Sequence, residues 1–281
     1  MLFNLIKYGV LFTTLLLVTG SLIDFNMSDE EQTNKISKAH VNGEVGLLKV
    51  GDRNIHYTWI HRNDNFPTAV FIHGSPGSSS NFIYFTTDSL LLRSYNVLLF
   101  DRPGYGQSDF GKSEPLISNQ AKILNNALHQ LDIKNPVLVG HSLGGPIIAK
   151  MAMDEPNYIK GLLIVAGSVS PELEPEEKWR KPMSRPILRW LLPKMFRVSN
   201  DEILPAKEEL IRMEPFWPKI TCEMRVIQGQ KDKLVPAGNE DYAKKMAVNS
   251  KKVTLIKLDD NHFIPFNTPE LVTRELLLFE R

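Results

Sequence analysis

Residues Pro136-Val137-Leu138-Val139-Gly140-His141-Ser142-Leu143-Gly144-Gly145 decide the fold. Val137 to Val139 is a short, branched apolar run of the kind that is buried on both faces inside a parallel sheet. A helical pattern over 142–153 begins directly after it. Between them lies Gly140-x-Ser142-x-Gly144, a strand-to-helix turn so tight that the positions flanking the serine must be small. The turn perches the Ser142 hydroxyl at the C-terminal edge of the sheet, over the start of a helix. Unpaired amides and the positive end of the helix dipole there favour a developing oxyanion.

Working outward, further strands are read at 69–72, 96–100, 162–165, 223–228 and 252–258, after an opening hairpin at 46–50 and 54–60 around Gly51-Asp52. Helical patterns lie at 79–91, 117–131 and 237–248, and a last one closes the chain at 269–279. Such alternation predicts an α/β architecture, with a mostly parallel central sheet and helices on both faces. It breaks once. Residues 170–218 hold eight of the 18 prolines and three of the four tryptophans (Trp179, Trp190 and Trp217). Too apolar for a solvated loop, they are expected to form a small helical cap inserted above the sheet.

Composition narrows the function classes. The 281 residues are 42% hydrophobic and 23% charged, values of an ordinary folded protein. Thirty-three Lys+Arg against 32 Asp+Glu leave a net charge of +1, so no global basic field exists to attract nucleic acid. The single cysteine, Cys222, excludes an intramolecular disulfide and a cysteine-built zinc site.

The N-terminus stands apart. Residues 1–23 are almost wholly apolar, with Lys7 the only charge. A charged start, an apolar run from Gly9 to Val18 and small residues at Thr19-Gly20-Ser21 fit a secretory signal. The same run lies near the ~17-residue lower limit of a membrane span. A buried first helix of the domain would carry a polar face, and this segment has none. A cleaved signal or an uncleaved anchor is expected, so the protein is membrane-anchored or exported to a periplasmic or extracellular location. Residues 24–41, polar and of mixed charge, read as a linker, and the folded domain as 42–281.

Two more segments complete a pattern. His73-Gly74-Ser75-Pro76-Gly77 follows the strand at 69–72, and Asp101-Arg102-Pro103-Gly104-Tyr105-Gly106-Gln107-Ser108 follows the next. With the serine turn they resemble, over essentially all of 42–281, the α/β-hydrolase superfamily. The likeness is closest to its capped group of carboxylesterases, C–C bond hydrolases and proline iminopeptidases. The resemblance implies an α/β-hydrolase fold and the chain order nucleophile, acid, histidine. Ser142 would be the nucleophile. His262, in Asp260-Asn261-His262-Phe263, is the only one of seven histidines after Ser142 and would be the base. Asp232, in Gly229-Gln230-Lys231-Asp232, matches the family's acid loop. Asp259 and Asp260 compete, but they lie too close in sequence to His262 to orient it easily. The oxyanion hole would be the backbone amides of Ser75 and Leu143, with His73 and His141 orienting the loops. No metal-ligand spacing and no dinucleotide fingerprint stand out, so no metal and no cofactor are expected.

A serine at this position attacks acyl carbon, which predicts hydrolysis of an ester, thioester, lactone or amide, or C–C cleavage beside a carbonyl. The expected activity is hydrolysis of a small to medium apolar carboxylic ester, a small-molecule substrate. An amidase or aminopeptidase, a C–C bond hydrolase, and a catalytically silent binding protein are the alternatives. Cap residues Glu172, Glu174, Glu176 and Glu177 read as a solvated acidic run or as a clamp for a substrate amine. The segment from Lys178 to Arg197 interleaves basic and aromatic residues, as a stretch lying against anionic lipid would, consistent with membrane association through residues 1–23.

Overall fold

The computed structural model describes residues 27–279, so the reading of residues 1–23 lies outside the described residues. Eight strands form one sheet in the order β1-β2-β4-β3-β5-β6-β7-β8. They are β1 (Glu44–Val50), β2 (Arg53–Ile60), β3 (Thr68–Ile72), β4 (Asn96–Phe100), β5 (Val137–His141), β6 (Gly161–Val165), β7 (Glu223–Gly229) and β8 (Val253–Leu258). β1 and β2 form the expected hairpin, with Val50 opposite Arg53, and β2 pairs antiparallel with β4. From β4 to β8 every pairing is parallel.

Successive side chains of the central strands serve different cores, as the pleat requires. Val70 and Ile72 of β3 point into one cluster with Leu138, Leu162 and Val226. Ala69 and Phe71 point into the other with Val137, Val139, Leu163 and Val165. Helices α2 (Ile117–Gln130) and α3 (Gly144–Asp154) cover the first face. The second face is covered by the 3-10 helix Ser79–Thr86 and, at the end of the described chain, by Val272 and Leu276 of the helix Pro269–Leu277.

The supposed linker is a helix. α1 (Asp29–Lys38) is closed at its N-terminus by a capping box between Ser28 and Glu31. It buries Ile36 in the second core, and the buried Gln32 accepts a hydrogen bond from Thr58 at 2.6 Å. One buried apolar residue is too little to show as hydrophobic periodicity, so the segment looked like a solvated spacer. The described fold begins at Met27, whose amide donates to Ser80 Oγ at 2.9 Å.

Between β6 and β7 the chain carries α4 (Arg180–Met183), α5 (Pro186–Arg189), α6 (Lys194–Ile203) and α7 (Ala206–Met213), then a 3-10 turn at Glu214–Lys219. This is the expected helical insertion, but its second half is not roof. Ala206, Leu210, Met213 and Trp217 pack into the main core, and Trp217 sits edge-on to Tyr242. Trp179 and Trp190 are exposed. The chain closes with α8 (Asn239–Met246), α9 (Ile264–Asn267) and α10 (Pro269–Leu277).

Candidate active site

The site lies past the carboxyl ends of β3 and β5, neighbours in register from Ala69↔Val137 to Ile72↔Gly140 although far apart in sequence. Loops after adjacent parallel strands whose connections diverge leave a crevice there. Ser142 occupies the turn after β5 with φ +55°, left-handed backbone that a side chain makes costly. Its amide is tied to Val165 O, and its carbonyl accepts from Gly145 N. The flanking glycines are sterically required: a Cβ on Gly140 would lie 2.4 Å from Gly144 O, and one on Gly144 would lie 2.3 Å from Ile72 O.

His262 and Asp232 arrive from the loops after β8 and β7. His262 Nδ1 lies 2.7 Å from Asp232 Oδ2, and both residues are buried. An ionised carboxylate only accepts, so Nδ1 carries the proton and Nε2 is left as the basic nitrogen. The other carboxylate oxygen accepts from the amides of Leu234 and Val235, both at 2.8 Å. Burial pushes the Asp232 carboxyl up, but the His262 hydrogen bond and these amides outweigh it and hold it below the usual range. The rival acids are committed elsewhere: Asp259 pairs with Lys231 at 2.7 Å, and Asp260 accepts from Asn261 N. Ser142 and His262 line the same two cavities.

Among the described residues, neither the Ser75 amide nor the Leu143 amide finds an acceptor. Leu143 immediately precedes α3, whose N-terminal dipole adds to its donor strength. The Ser75 side chain is not free for substrate, because its hydroxyl lies 3.0 Å from Tyr105 Oη and donates to Ser199 Oγ at 2.9 Å. Two buried histidines steer the loops. His73 Nε2 accepts from Arg102 N at 3.0 Å, so Nδ1 donates to Gly74 O at 2.8 Å. His141 Nε2 donates to His262 O at 3.0 Å, pinning the backbone of the histidine loop. Burial pushes both imidazoles down to about 3, so both stay neutral.

Sequence reasoning missed what stands behind the Gly74–Ser75 loop. Arg102 is fully buried; its guanidinium donates to Gly74 O at 2.8 Å, to Gln120 Oε1 at 2.8 Å, and to both carboxylate oxygens of Glu202 at 2.7 and 3.0 Å. Tyr105 also donates to Glu202. Arg102 sat within a quoted motif, but Glu202 belongs to cap helix α6, and no spacing pairs the two.

The two cavities meet at Ser142 and His262. One, of about 500 Å³, is apolar, lined by Pro76, Phe196, Leu234, Phe263 and Phe266. The other, of about 220 Å³, is mixed and more polar, with Ser168, Glu174, Glu177, Arg180 and Lys233 beside Leu143, Ile203 and Val235. Glu174 is not part of a solvated run: it accepts from Ser168, and burial pushes its carboxyl up. Glu172 and Glu176 are exposed, as a solvated run would be. Among the described residues no group of acidic, histidine and cysteine side chains could hold a metal ion.

A family model described as alpha/beta hydrolase fold matches residues 67–197. The uncharacterized hydrolase YugF of Bacillus subtilis is 33% identical over 118 residues, 41% of this chain and 41% of that protein. A 2-hydroxy-6-oxononadienedioate/2-hydroxy-6-oxononatrienedioate hydrolase of Escherichia coli O81 is 29% identical over 144 residues, 50% of this chain and 48% of its own length. The matched segment spans less than half of either relative. The crystal structure of the enol-lactonase from Burkholderia xenovorans LB400 superposes with a TM-score of 0.67 at 18% identity, over 83% of this chain and 99% of that one. That is a likeness of fold.

Proposed function

We propose that this chain, a member of the α/β-hydrolase superfamily whose model matches residues 67–197, is a serine hydrolase of carboxylic esters with an apolar acyl group. His262 Nε2 takes the proton of Ser142 Oγ as that oxygen attacks the acyl carbon. Asp232 holds the Nδ1–H tautomer and stabilises the imidazolium that forms. The amides of Leu143 and Ser75 receive the charge that builds on the carbonyl oxygen. His262 then protonates the leaving alcohol, and water repeats the cycle on the acyl-enzyme. The apolar cavity takes the acyl chain, and the polar one the alcohol.

The observation that carries this reading is the 2.7 Å bond from His262 to Asp232 beside a serine at φ +55°, both opening on one cavity. The test pairs a fluorophosphonate probe with a panel of p-nitrophenyl esters and aryl amides. The expected result is labelling of wild type but not Ser142→Ala, with esters of medium acyl length turned over fastest. Absence of labelling in both proteins overturns the reading in favour of a silent binding protein, and faster amide turnover in favour of an amidase. C–C cleavage is favoured by one observation, the cationic Lys233 in the more polar cavity, which suits a carboxylated substrate. Turnover of a carboxylated vinylogous β-diketone in preference to esters would establish it.

A further inference from the structure

From Lys178 to Asn200 the cap carries seven Lys or Arg and no acidic residue. Arg180 and Arg189 are neutralised by Glu177 and Asp201, and Arg197 is spent on the carbonyls of Trp190 and Leu192. Lys178, Lys181, Arg185 and Lys194 are exposed and, among the described residues, pair with no carboxylate. Between these cations stand large apolar side chains in water: Ile187 is 80% exposed, Trp190 60% and Trp179 45%. Apolar side chains ringed by unpaired cations are costly in water and complementary to a surface that is anionic outside and hydrocarbon within.

The same face continues into the catalytic mouth. Phe196, in this basic stretch, also lines the apolar cavity, together with Leu234, Phe263 and Phe266, all of them exposed at its rim. The start of the described chain lies at this edge as well. Met27 is bonded to Ser80, the neighbour of Asn81, and Asn81 lines that cavity.

From these features we infer that the cap face around Trp179, Ile187 and Trp190 docks on an anionic phospholipid bilayer, with the mouth of the apolar cavity turned toward the lipid. Unpaired cations supply the long-range attraction, and the tryptophans and Ile187 enter the interface. An ester already in the membrane would then reach Ser142 without crossing water. Docking itself requires no catalysis.

The test uses the full chain with vesicles whose acyl chains are brominated, made of phosphatidylcholine alone or mixed with phosphatidylglycerol, reading tryptophan fluorescence. Quenching several-fold stronger on the anionic vesicles is expected. It should vanish in Trp179→Phe/Trp190→Phe, because Trp217 is buried in the core and Trp59 lies on β2. Reversing Lys178, Lys181, Arg185 and Lys194 to Glu should lower anionic-vesicle partitioning on the order of 100-fold, as should about 1 M salt. Quenching equal on the two vesicle types, or surviving loss of both tryptophans, overturns the inference even if esterase activity is found; loss of activity with quenching intact leaves docking standing.

Discussion

Arg102 and Glu202 face each other 100 residues apart in sequence, fork to fork and sealed from water, one on the core and one on the cap. Burial alone would push the Glu202 carboxyl up, but Arg102 holds it below its ordinary value. The same guanidinium holds Gly74 O, one residue from the Ser75 amide. The pair therefore couples the seating of the cap to the shape of the Gly74–Ser75 loop.

Removing one partner strands the other's charge. Glu202→Gln should cost about 3–5 kcal/mol, read from urea midpoints, because a buried guanidinium loses its counter-ion. An Arg102→Met/Glu202→Leu double variant should recover most of that stability. It should not recover kcat on p-nitrophenyl esters, since Gly74 O keeps only the neutral His73 donor and has lost the charged one. Recovery of both would mean the pair serves stability alone.

Ser142 should be less stable than the glycine that could replace it. Left-handed backbone costs a non-glycine residue about 1–2 kcal/mol, against about 0.5–1 kcal/mol for the looser unfolded chain of glycine. Ser142→Gly is expected to melt at or above wild type and above Ser142→Ala, while neither variant takes the fluorophosphonate label. A glycine variant that melts below the alanine variant would remove strain from the account.

Gly74 lies against Ser142. A Cβ there would sit 2.8 Å from Ser142 Cβ and 3.3 Å from His141 O, so Gly74→Ala must displace the serine or the Gly74–Ser75 loop. Displacements of about 1 Å cost roughly 100-fold in rate. We expect kcat to fall by about that factor, with thermal stability changing little by comparison; an alanine variant with wild-type kcat would contradict the close approach.

Acid should unfold the protein before its carboxylates titrate. His73 and His141 are pushed by burial from 6.5 to about 3, so below pH 6.5 the unfolded chain binds protons that the fold refuses. Their contribution is complete above pH 6.5 and is lost as pH falls toward 3, at up to about 1.4 kcal/mol per pH unit for each histidine. Burial pushes His56 down, but Asp101 and Asp29 outweigh it and raise it, so its contribution has the opposite sign and is lost only as pH rises. Urea midpoints between about pH 6.5 and 4.5 should fall at a slope near two protons; a flat profile would show that neither imidazole is held neutral.

The sheet was legible because buried parallel strands are apolar on both faces, and the hairpin because Gly51-Asp52 marks its turn. Ser142, His262 and Asp232 were legible through local patterns, each just past a strand, and the fold brings them to one cavity wall or hydrogen bond. The helix expected at 79–91 is instead two 3-10 pieces, Ser79–Thr86 and Leu91–Arg93. Ser79 N there is captured by Asp101 Oδ1 at 2.6 Å, a tertiary constraint that no local propensity encodes. Nor could a linear pattern give Arg102–Glu202 or the division of the crevice into apolar and polar arms, since each depends on how the cap lands. The Ser28-x-x-Glu31 spacing is a capping box that marks the start of α1 in the sequence itself.

Helix α1 fixes where this polypeptide can be cut. Trimming it back to Asn42 would expose the seat of Ile36, leave Thr58 Oγ1 without Gln32, and take Asp29 away from His56. A scissile bond anywhere between Met27 and Asn42 would therefore yield a protein with an open flank.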